Sequence, residues 1–378
     1  MTTRRTFLTL TAAAALTACG GVRSPAPTSR NSAVPSDLRP IPNAGYDAWV
    51  RAFRPRGAAA GISDATMNAA FRSAGFIPGV VTRDRSQPET KYSLEDYLSI
   101  AASDERISKG RAALARHRGT LNALESRYGV PAEIICAIWG LESRYGERRG
   151  DINVISSTST LAFDGRRGAF FEKQLIAALR ILQSGDTTPG NLVGSWAGAM
   201  GHTQFIPTSY LSLAVDFNGD GRRDIWSDDP TDALASTANY LRKNGWSGRD
   251  WGGETGQPGT PSGSVITPQP GGPSFTVTRN FRAIKSYNNS DLYAIGIGHL
   301  ADRLAGGGPI RGSFPPDRYG LTKQQRITLQ EKLTARGYDT GGTSGVIGPK
   351  SREAISAYQS SRGLPVTGAP SPELLGSL

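Results

Sequence analysis

The feature that most constrains this chain is an apolar helical segment that carries one acidic side chain. Residues 131–146 read PAEIICAIWGLESRYG, with proline at the expected start of the helix and glycine just beyond its expected end. On a 3.6-residue period Glu142 shares a face with Ile138, so its carboxyl is predicted to be desolvated. Desolvation moves the pKa of a carboxyl toward neutrality, which suits a general acid. The alternative is a solvated glutamate that pairs with Arg144 or Arg148.

Three sequence blocks resemble those of one enzyme family. The first is AIWGLESRYG at residues 137–146, the second is GSWAGAMGHTQFIPTSY at 194–210, and the third is RNFRAIKSYNNSDLYAIGIGHLADRL at 279–304. In order and spacing they resemble the signature blocks of membrane-bound lytic murein transglycosylases of the B type. Long blocks in register are more specific than a short motif. The resemblance implies a mainly α catalytic domain over residues 43–305, within the α+β lysozyme-like superfamily.

The resemblance also implies a reaction and a partner, the glycan strands of peptidoglycan. Glu142 would act first as acid and then as base, cleaving the β-1,4 bond between N-acetylmuramic acid (MurNAc) and N-acetylglucosamine (GlcNAc). Enzymes of this family use no water and leave 1,6-anhydro-MurNAc ends. The acetamido group and the C6 hydroxyl of the substrate replace a second carboxylate and a water molecule, so no cofactor is required.

Two alternatives to this reaction remain open. Hydrolytic glycosidases normally need two carboxylates, and beyond Glu142 no motif nominates a second one. A hydrolytic muramidase on the same fold would be favoured if a carboxylate such as Asp164 lay across the cleft from Glu142. A catalytically inactive, peptidoglycan-binding lipoprotein would be favoured if the chain bound cell-wall material without releasing any product.

The resemblance also implies which residues of this sequence contact the substrate. In the second block, small residues allow close backbone approach, and the Gln204 amide can hydrogen-bond a sugar or its acetamido group. Helix packing is the alternative role for these small residues. In the third block, a turn capped by Ser290 or Asn289 is predicted to start a helix beside the acid. The predicted substrate-binding residues are Ser195, Gln204, Tyr287, Asn288 and Tyr293, with Tyr97, Arg166, Arg167 and Phe170 as further cleft candidates.

The first residues predict export and a lipid anchor. Residues 1–18 contain TRRTFL, which resembles a twin-arginine signal, followed by an apolar run too short to span a bilayer. The next residues, LTACG, resemble a lipobox, in which Cys19 would carry the lipid that attaches the chain to a membrane. An ordinary signal peptide with a soluble mature start is the alternative. Residues 19–42 predict a flexible tether. The prediction is a periplasmic lipoprotein, at the outer membrane because Gly20 and Gly21 supply no inner-membrane retention signal.

Charge and cysteine content narrow the class of partner. With 43 Lys and Arg against 32 Asp and Glu, the formal net charge is +11. A basic balance suits an acidic partner, and peptidoglycan, whose peptides carry carboxylates, fits the exported compartment. A diffuse charge that aids solubility is the alternative. The sequence has no dense basic run with interleaved aromatic residues, so it does not predict nucleic-acid binding. The chain is predicted to be a monomer without a disulfide, with Cys136 as a small buried thiol.

Composition divides the rest of the chain. Residues 245–274 are rich in Gly, Pro, Ser and Thr and predict a long surface loop inserted before the third block. Residues 306–318 predict a linker. Residues 321–378 show two amphipathic helical runs around GVIGPKS, and resemble the small three-helix peptidoglycan-binding domain of cell-wall enzymes. Ser344 stands where that family usually has Asp, which puts the turn geometry in question. Any other three-helix bundle is the alternative.

One acidic loop resembles the first part of a calcium site. Oxygen ligands on alternate positions and Gly221 at the sharp turn fit such a loop, but its twelfth position is Ser227, where a bidentate Glu or Asp is wanted. Calcium binding is therefore expected to be weak, and a self-capped Asp/Gly turn is the alternative. The loop residues are Asp216, Asn218, Asp220, Arg222 and Asp224.

Overall fold

The computed structural model describes residues 34–86 and 92–378. The predicted signal peptide at residues 1–18, the predicted anchor Cys19 and most of the tether lie outside the described residues. The elements below belong to the compact unit Pro35–Leu378. Within the described part of the chain, no helix is both long enough and apolar enough to cross a membrane.

The last residues of the predicted tether, 34–42, contact the folded domain. Residues Ser36–Leu38 form a short 3-10 helix, and the backbone N–H of Ile41 donates to the carbonyl of Phe76 at 2.8 Å. Asp37 forms an ion pair with Arg83 at 2.5 Å. The catalytic domain therefore begins several residues before the predicted boundary at residue 43, because these few polar contacts fix a segment whose composition alone predicts flexibility.

Helices form most of the catalytic domain, as predicted. Several starts are capped by a Ser or Asn side chain that accepts a backbone N–H, as Asn43, Ser93 and Ser103 do. The helices are α1 (Ala44–Ala59), α2 (Asp64–Phe71), α3 (Pro78–Arg85), α4 (Leu94–Ala101), α5 (Asp104–Arg116), α6 (Arg118–Tyr128), α7 (Ala132–Ser143), α8 (Val154–Asp164), α9 (Gly168–Ser184), α10 (Pro207–Leu213), α11 (Thr231–Lys243), α12 (Arg279–Tyr287) and α13 (Asp291–Leu304).

Helix α7 lies at the centre of one of the two hydrophobic cores of the catalytic domain. It packs against α5, α6, α11 and α13, and nine of its twelve residues are buried. Among them is Cys136, a free buried thiol as predicted. A second core lies between α1, α2, α8 and α9. Tyr287 packs against both cores, so the end of α12 lies where they meet.

A two-stranded pairing connects the segment after α7 to the second sequence block. Strand β1 (Ile152–Asn153) pairs antiparallel with β2 (Val193–Gly194). A Cβ on Gly150 would lie 2.2 Å from the backbone of Gly194, so only glycine permits this approach. The pairing fixes the start of the second block beside the end of α7.

Residues 245–274 are not the single surface loop that their composition predicts. Strands β3 (Gly252–Glu254) and β4 (Ser264–Ile266) lie within them, and both pair antiparallel with β5 (Phe275–Val277) in the order β3-β5-β4. The apolar side chains that bury this sheet come from β5, where Phe275 is fully buried. The outer strands pair through backbone groups, which glycine and serine also carry.

The C-terminal segment forms the predicted three-helix domain. Its helices are α14 (Lys323–Ala335), α15 (Pro349–Ser361) and α16 (Pro372–Ser377), around a core of its own that includes Leu333 and Ile355. Ser344 accepts the backbone N–H of Val346 at 3.3 Å, and thereby closes the turn in which the family usually has Asp. The linker, residues 306–318, contains no helix or strand.

A buried arginine joins this domain to the catalytic domain. Arg326 on α14 is 1% exposed, and its guanidinium lies 2.7 Å from Asp96, 3.4 Å from Glu95 and 3.1 Å from Asp317. Its Nε also donates to the carbonyl of Gly345 at 2.6 Å. One side chain thus holds together α4, the linker and the C-terminal domain.

Candidate active site

Glu142 lies in the last turn of α7, with its carboxyl partly buried as the helical pattern predicts. The Tyr293 hydroxyl donates to its Oε1 at 2.6 Å. Burial raises the pKa of Glu142 to about 7, and the hydrogen bond from Tyr293 opposes part of that rise. The carboxyl is therefore protonated over part of the neutral range, as a general acid must be.

Three tyrosines surround this carboxyl. Burial and the nearby negative charge of Glu142 together raise the pKa of Tyr97 to about 12. Burial and the same charge hold the pKa values of Tyr287 and Tyr293 well above the usual one. The Tyr287 hydroxyl donates to the carbonyl of Thr203 at 2.6 Å. All three phenols stay protonated, so they can act as hydrogen-bond donors beside the acid.

The turn after Glu142 differs from the predicted glycine stop. Arg144 and Tyr145 adopt left-handed backbone conformations with φ of 52° and 58°, and Gly146 follows with φ of 89°. Two consecutive non-glycine residues in this region are uncommon and strained. Tertiary contacts hold them there: the Tyr145 hydroxyl donates to the carbonyl of Arg106 at 2.8 Å, and its ring fills the space beside Gly140.

His202, which sequence reasoning did not assign, anchors the catalytic helix. Its Nδ1 accepts from the indole of Trp139 at 3.1 Å, and its Nε2 lies 2.7 Å from the carbonyl of Ser227. The Ser143 hydroxyl donates to the carbonyl of His202 at 2.5 Å. Burial lowers the pKa of His202 to about 4, so the ring is neutral. The only sequence signal for this role of His202 was its position inside the second block.

The second block presents Ser195 and Gln204 from a tight loop. The Ser195 hydroxyl accepts the backbone N–H of Ala199 at 3.1 Å. Gln204 has a left-handed backbone, with φ of 55°, and its Nε2 donates to the carbonyls of Arg149 at 3.0 Å and Gly201 at 2.9 Å. No described residue donates to its Oε1. The fold thus fixes the amide while leaving its oxygen available as an acceptor.

The third block brings Tyr293 to the acid through a capped turn. Ser290 is the N-cap of α13 and accepts the backbone N–H of Tyr293 at 3.3 Å, which confirms the predicted cap. Asn288 follows α12 in an extended conformation, with an exposed side chain.

Arg166, Arg167 and Phe170 form contacts of their own. Arg166 forms two hydrogen bonds, of 2.5 and 2.7 Å, with the buried carboxylate of Asp84. Arg167 lies 4.5 Å from the ring centre of Phe170, whose side chain is exposed. Among the described residues, no hydrogen bond or ion pair joins these three side chains to Glu142, so their assignment to the cleft stays a prediction.

Asp164, the carboxylate on which the hydrolytic alternative depends, is engaged elsewhere. It pairs with Arg85 at 2.5 Å, and its other oxygen is buried without a partner among the described residues. Only burial and Tyr293 shift the pKa of Glu142, so no described carboxylate perturbs it.

The acidic loop folds as a self-capped turn. Asp216 accepts the backbone N–H groups of Gly219 at 2.7 Å and Gly221 at 2.9 Å. Asp232, which the sequence did not single out, is buried and accepts three backbone N–H groups of the loop. No cluster of three or more metal-ligating His, Cys, Asp or Glu side chains occurs in the described ranges. Calcium binding by this loop stays a prediction.

With this geometry, the fold and site define a peptidoglycan transglycosylase. The chain belongs to the transglycosylase SLT domain family, whose sequence profile matches residues 45–260 and 255–302. The profile of a peptidoglycan binding domain matches residues 322–378. These matches confirm the predicted family, fold class and enzyme class.

Individual relatives agree with this assignment. The chain is 33% identical over 242 residues to the membrane-bound lytic murein transglycosylase B of Escherichia coli, covering 55% of this chain and 66% of that protein. SltB3 from Pseudomonas aeruginosa, solved with NAG-anhNAM-pentapeptide, shows 43% identity and a TM-score of 0.70 over 89% of this chain and 99% of its own. Escherichia coli Slt35, solved with calcium, shows 28% identity and a TM-score of 0.57, covering 70% and 93%.

Proposed function

We propose that this chain is a lytic transglycosylase of peptidoglycan in which Glu142 is the single acid and base. The observation that carries this proposal is the partly buried carboxyl with a pKa near 7, which no other described carboxylate perturbs. A hydrolase needs a second carboxylate to activate water or to act as nucleophile. An enzyme whose substrate supplies its own nucleophile needs one group that gives and then takes a proton.

The proposed reaction has two proton transfers. Because Tyr293 donates to Oε1, Oε2 of Glu142 is the oxygen that carries the proton to the glycosidic oxygen between MurNAc and GlcNAc. The C1–O bond breaks, and the acetamido group stabilises the cation-like centre. Glu142, now a carboxylate, takes the proton of the C6 hydroxyl as C6–O bonds to C1. The product is a 1,6-anhydro end, and Glu142 is protonated again.

The remaining side chains of the site would bind the sugars. Gln204 and Ser195 would contact the acetamido and hydroxyl groups, with Asn288 beside the acid. Tyr287 and Tyr97 would pack on the apolar faces of the sugar rings. Arg166, Arg167 and Phe170 are assigned to more distant parts of the cleft.

The proposed location is the periplasm, with the chain held as a monomer at the outer membrane by a lipid on Cys19. The lipobox-like LTACG supports the lipid anchor. The word "membrane-bound" in the name of the Escherichia coli relative supports a membrane location. The C-terminal domain would hold the chain on its peptidoglycan substrate.

Mass spectrometry of the muropeptides released from purified sacculi tests the reaction. We expect the wild-type chain to release products that lack one water at the muramic end. Glu142→Gln should be at least about 100-fold slower, because a positioned acid contributes 10²–10⁴ in rate. Glu147→Gln, an exposed glutamate five residues later, is the matched control and should retain activity.

Two outcomes would contradict the proposal. Reducing ends in place of anhydro ends would identify a hydrolase and require a second carboxylate. Binding to sacculi without any product from the wild type would identify an inactive wall-binding protein.

A further inference from the structure

A cavity of about 500 Å³ lies between the catalytic domain and the C-terminal domain. Its volume lies within the range of about 300–1,000 Å³ that is usual for ligand sites. Helix α5 and the turn after Glu142 form one wall, and the segment before α15 with its first turn forms the other. The lining includes Arg106, Lys109 and Arg144 on the first wall and Ser344, Lys350 and Ser351 on the second.

The two walls are held in a fixed relation. The ion pairs of Arg326 with Asp96 and Asp317 lock α14 onto α4. The Lys323 ammonium donates to the Ser99 hydroxyl at 2.7 Å, and Ser99 itself lines the cavity. The cavity is therefore a feature of the docked pair of domains and does not belong to either domain alone.

The lining carries an excess of positive charge. Four cations line the cavity and Glu105 is its one lining carboxylate in the described part of the chain. Lys109 pairs with Glu105 and Glu147, each at 2.9 Å, and Lys350 pairs with Asp339 at 2.7 Å. Arg144 and Arg106 have no such close pair, and the pair of Lys350 with Asp339 is exposed on both sides, so it is weak and Lys350 can exchange it for a ligand carboxylate.

These two arginines have unused capacity for an anion. Arg144 lies 4.0 Å from Glu105, which is too long for a hydrogen bond. Arg106 forms no ion pair with a described carboxylate, and its buried Nε–H has no acceptor among the described residues. A buried donor without an acceptor is costly, and an oxygen of a bound ligand would remove that cost.

The cavity shares its wall with the catalytic turn. The left-handed conformations of Arg144 and Tyr145 let this turn line the cavity while Glu142, two residues earlier, contacts Tyr293. Backbone strain of this kind concentrates at functional sites. In this turn, Arg144, a cationic lining residue of the cavity, follows Glu142 by two residues.

We infer that this interdomain cavity binds a carboxylate of the peptide stem of peptidoglycan, with Arg106, Arg144 and Lys350 as its cationic contacts. The inference rests on the proposed function for the choice of an acidic peptide over other anions. The Ser344 hydroxyl lines the same cavity and keeps its proton for a peptide acceptor, whereas the Ser351 hydroxyl is already bonded to Gln330 and Thr340. Substrate would then be held at two places, by its sugars in the cleft and by its peptide between the domains.

Isothermal titration calorimetry on the full-length chain tests this site with a free stem pentapeptide. The peptide has no glycosidic bond, so its binding is independent of catalysis and is measurable in Glu142→Gln as well. The same peptide with its carboxylates converted to amides is the chemical control, and inorganic phosphate is the competing small anion.

We expect Arg106→Gln and Lys350→Gln each to raise the Kd for the peptide about tenfold, because each removes a charge-assisted contact. The amidated peptide should bind at least about tenfold more weakly than the free one. Lys243→Gln, an exposed lysine at the end of α11, removes the same charge elsewhere and should leave the Kd unchanged. Thermal melting checks folding, and Lys350, at 63% side-chain exposure, is the substitution least disturbing to the core.

Three results would overturn the inference. Equal affinity of Lys350→Gln and wild type would place the peptide elsewhere, and equal affinity for the amidated peptide would exclude carboxylate recognition. Binding of phosphate without binding of peptide would make the cavity a site for small anions. Failure of this site is distinguishable from failure of the proposed function, because anhydro products from sacculi do not require tight binding of the free peptide.

Discussion

At the scale of the residue, the chemistry of Glu142 comes from its surroundings. An exposed glutamate is ionised at neutral pH, and the same side chain in the apolar last turn of α7 keeps its proton. Tyr293 limits this effect by donating to Oε1, so burial and one hydrogen bond act in opposite directions on one pKa. Their balance determines the pH range over which the acid can work.

Tyr293→Phe should move that pH range upward. Activity of the wild type should fall as pH rises through the pKa of Glu142, about 7. Without the hydroxyl the ionised form loses its donor, so the pKa rises further and the alkaline limb of kcat/KM shifts to higher pH. The maximal rate should fall, because the carboxyl is held less firmly.

The control is Tyr358→Phe, which removes a buried hydroxyl in the C-terminal domain. A shift to lower pH would refute this argument.

Glu142→Gln should be more stable than wild type at high pH and equally stable at low pH. Burial raises the folded-state pKa from 4.5 to about 7. Between these values the folded chain holds a proton that the unfolded chain releases, so wild-type stability falls as pH rises through this window. Glutamine has no such dependence. Urea denaturation at pH 4.5 and 8 should show a relative gain of on the order of 1–3 kcal/mol at pH 8. An equal difference in stability between Glu142→Gln and wild type at both pH values would contradict this prediction.

At the scale of the element, α7 and the turn after it act as one unit. Ser143 and Trp139 bind His202 on the second block, while the Tyr145 ring packs back against Gly140. The direction in which Glu142 leaves the helix therefore depends on contacts on both sides of α7.

Gly140→Ala tests this coupling. A Cβ at this position would lie 2.5 Å from the ring of Tyr145, so the ring and the left-handed turn must move. We expect a loss of about 1–3 kcal/mol in the free energy of unfolding and a large loss of activity from displacement of the acid. Gly119→Ala on α6 has no atom within 4 Å of its added Cβ and should be neutral or slightly stabilising. Equal effects of the two substitutions, by urea denaturation and product release, would refute the coupling.

At the scale of the whole molecule, Arg326 decides whether the two domains behave as one body. Its guanidinium is nearly inaccessible to solvent and faces three carboxylates from two parts of the chain. Coulomb attraction at such a site is strong, and removing one partner leaves the others buried without compensation.

Arg326→Leu should separate the unfolding of the C-terminal domain from that of the catalytic domain. We expect a loss of about 3–5 kcal/mol, because Asp96 and Asp317 would remain as unpaired charges. Urea denaturation followed by near-ultraviolet circular dichroism should change from one transition to two. Arg116→Leu, on the exposed side of α5, should change stability by less than about 0.5 kcal/mol. A single unchanged transition in Arg326→Leu would show that other contacts join the domains.

Much of the architecture was predictable because it depends on local sequence. The helical class, the Ser290 cap, the buried Cys136 and the three-helix C-terminal domain all follow from periodicity, capping and family resemblance. Glu142 was predictable for the same reason, since the apolar face of one helix is enough to predict its desolvation. Its tyrosine neighbours came from the resemblance.

Only the tertiary structure decided the features that depend on contacts between distant segments. Composition marked residues 245–274 as a loop, yet β3 and β4 form because their backbones meet β5. The left-handed Arg144 and Tyr145 depend on Gly140 and Arg106, and the engagement of Asp164 depends on Arg85.

The sequence by itself thus determined the family, the helices and the acid, because each is written in a short stretch of residues. The fold decided the rest: how strongly the acid is held, which carboxylates are unavailable, and where the two domains enclose a cationic cavity. Burial, ion pairing and backbone strain are properties of residues brought together by folding, and no local pattern of sequence specifies them.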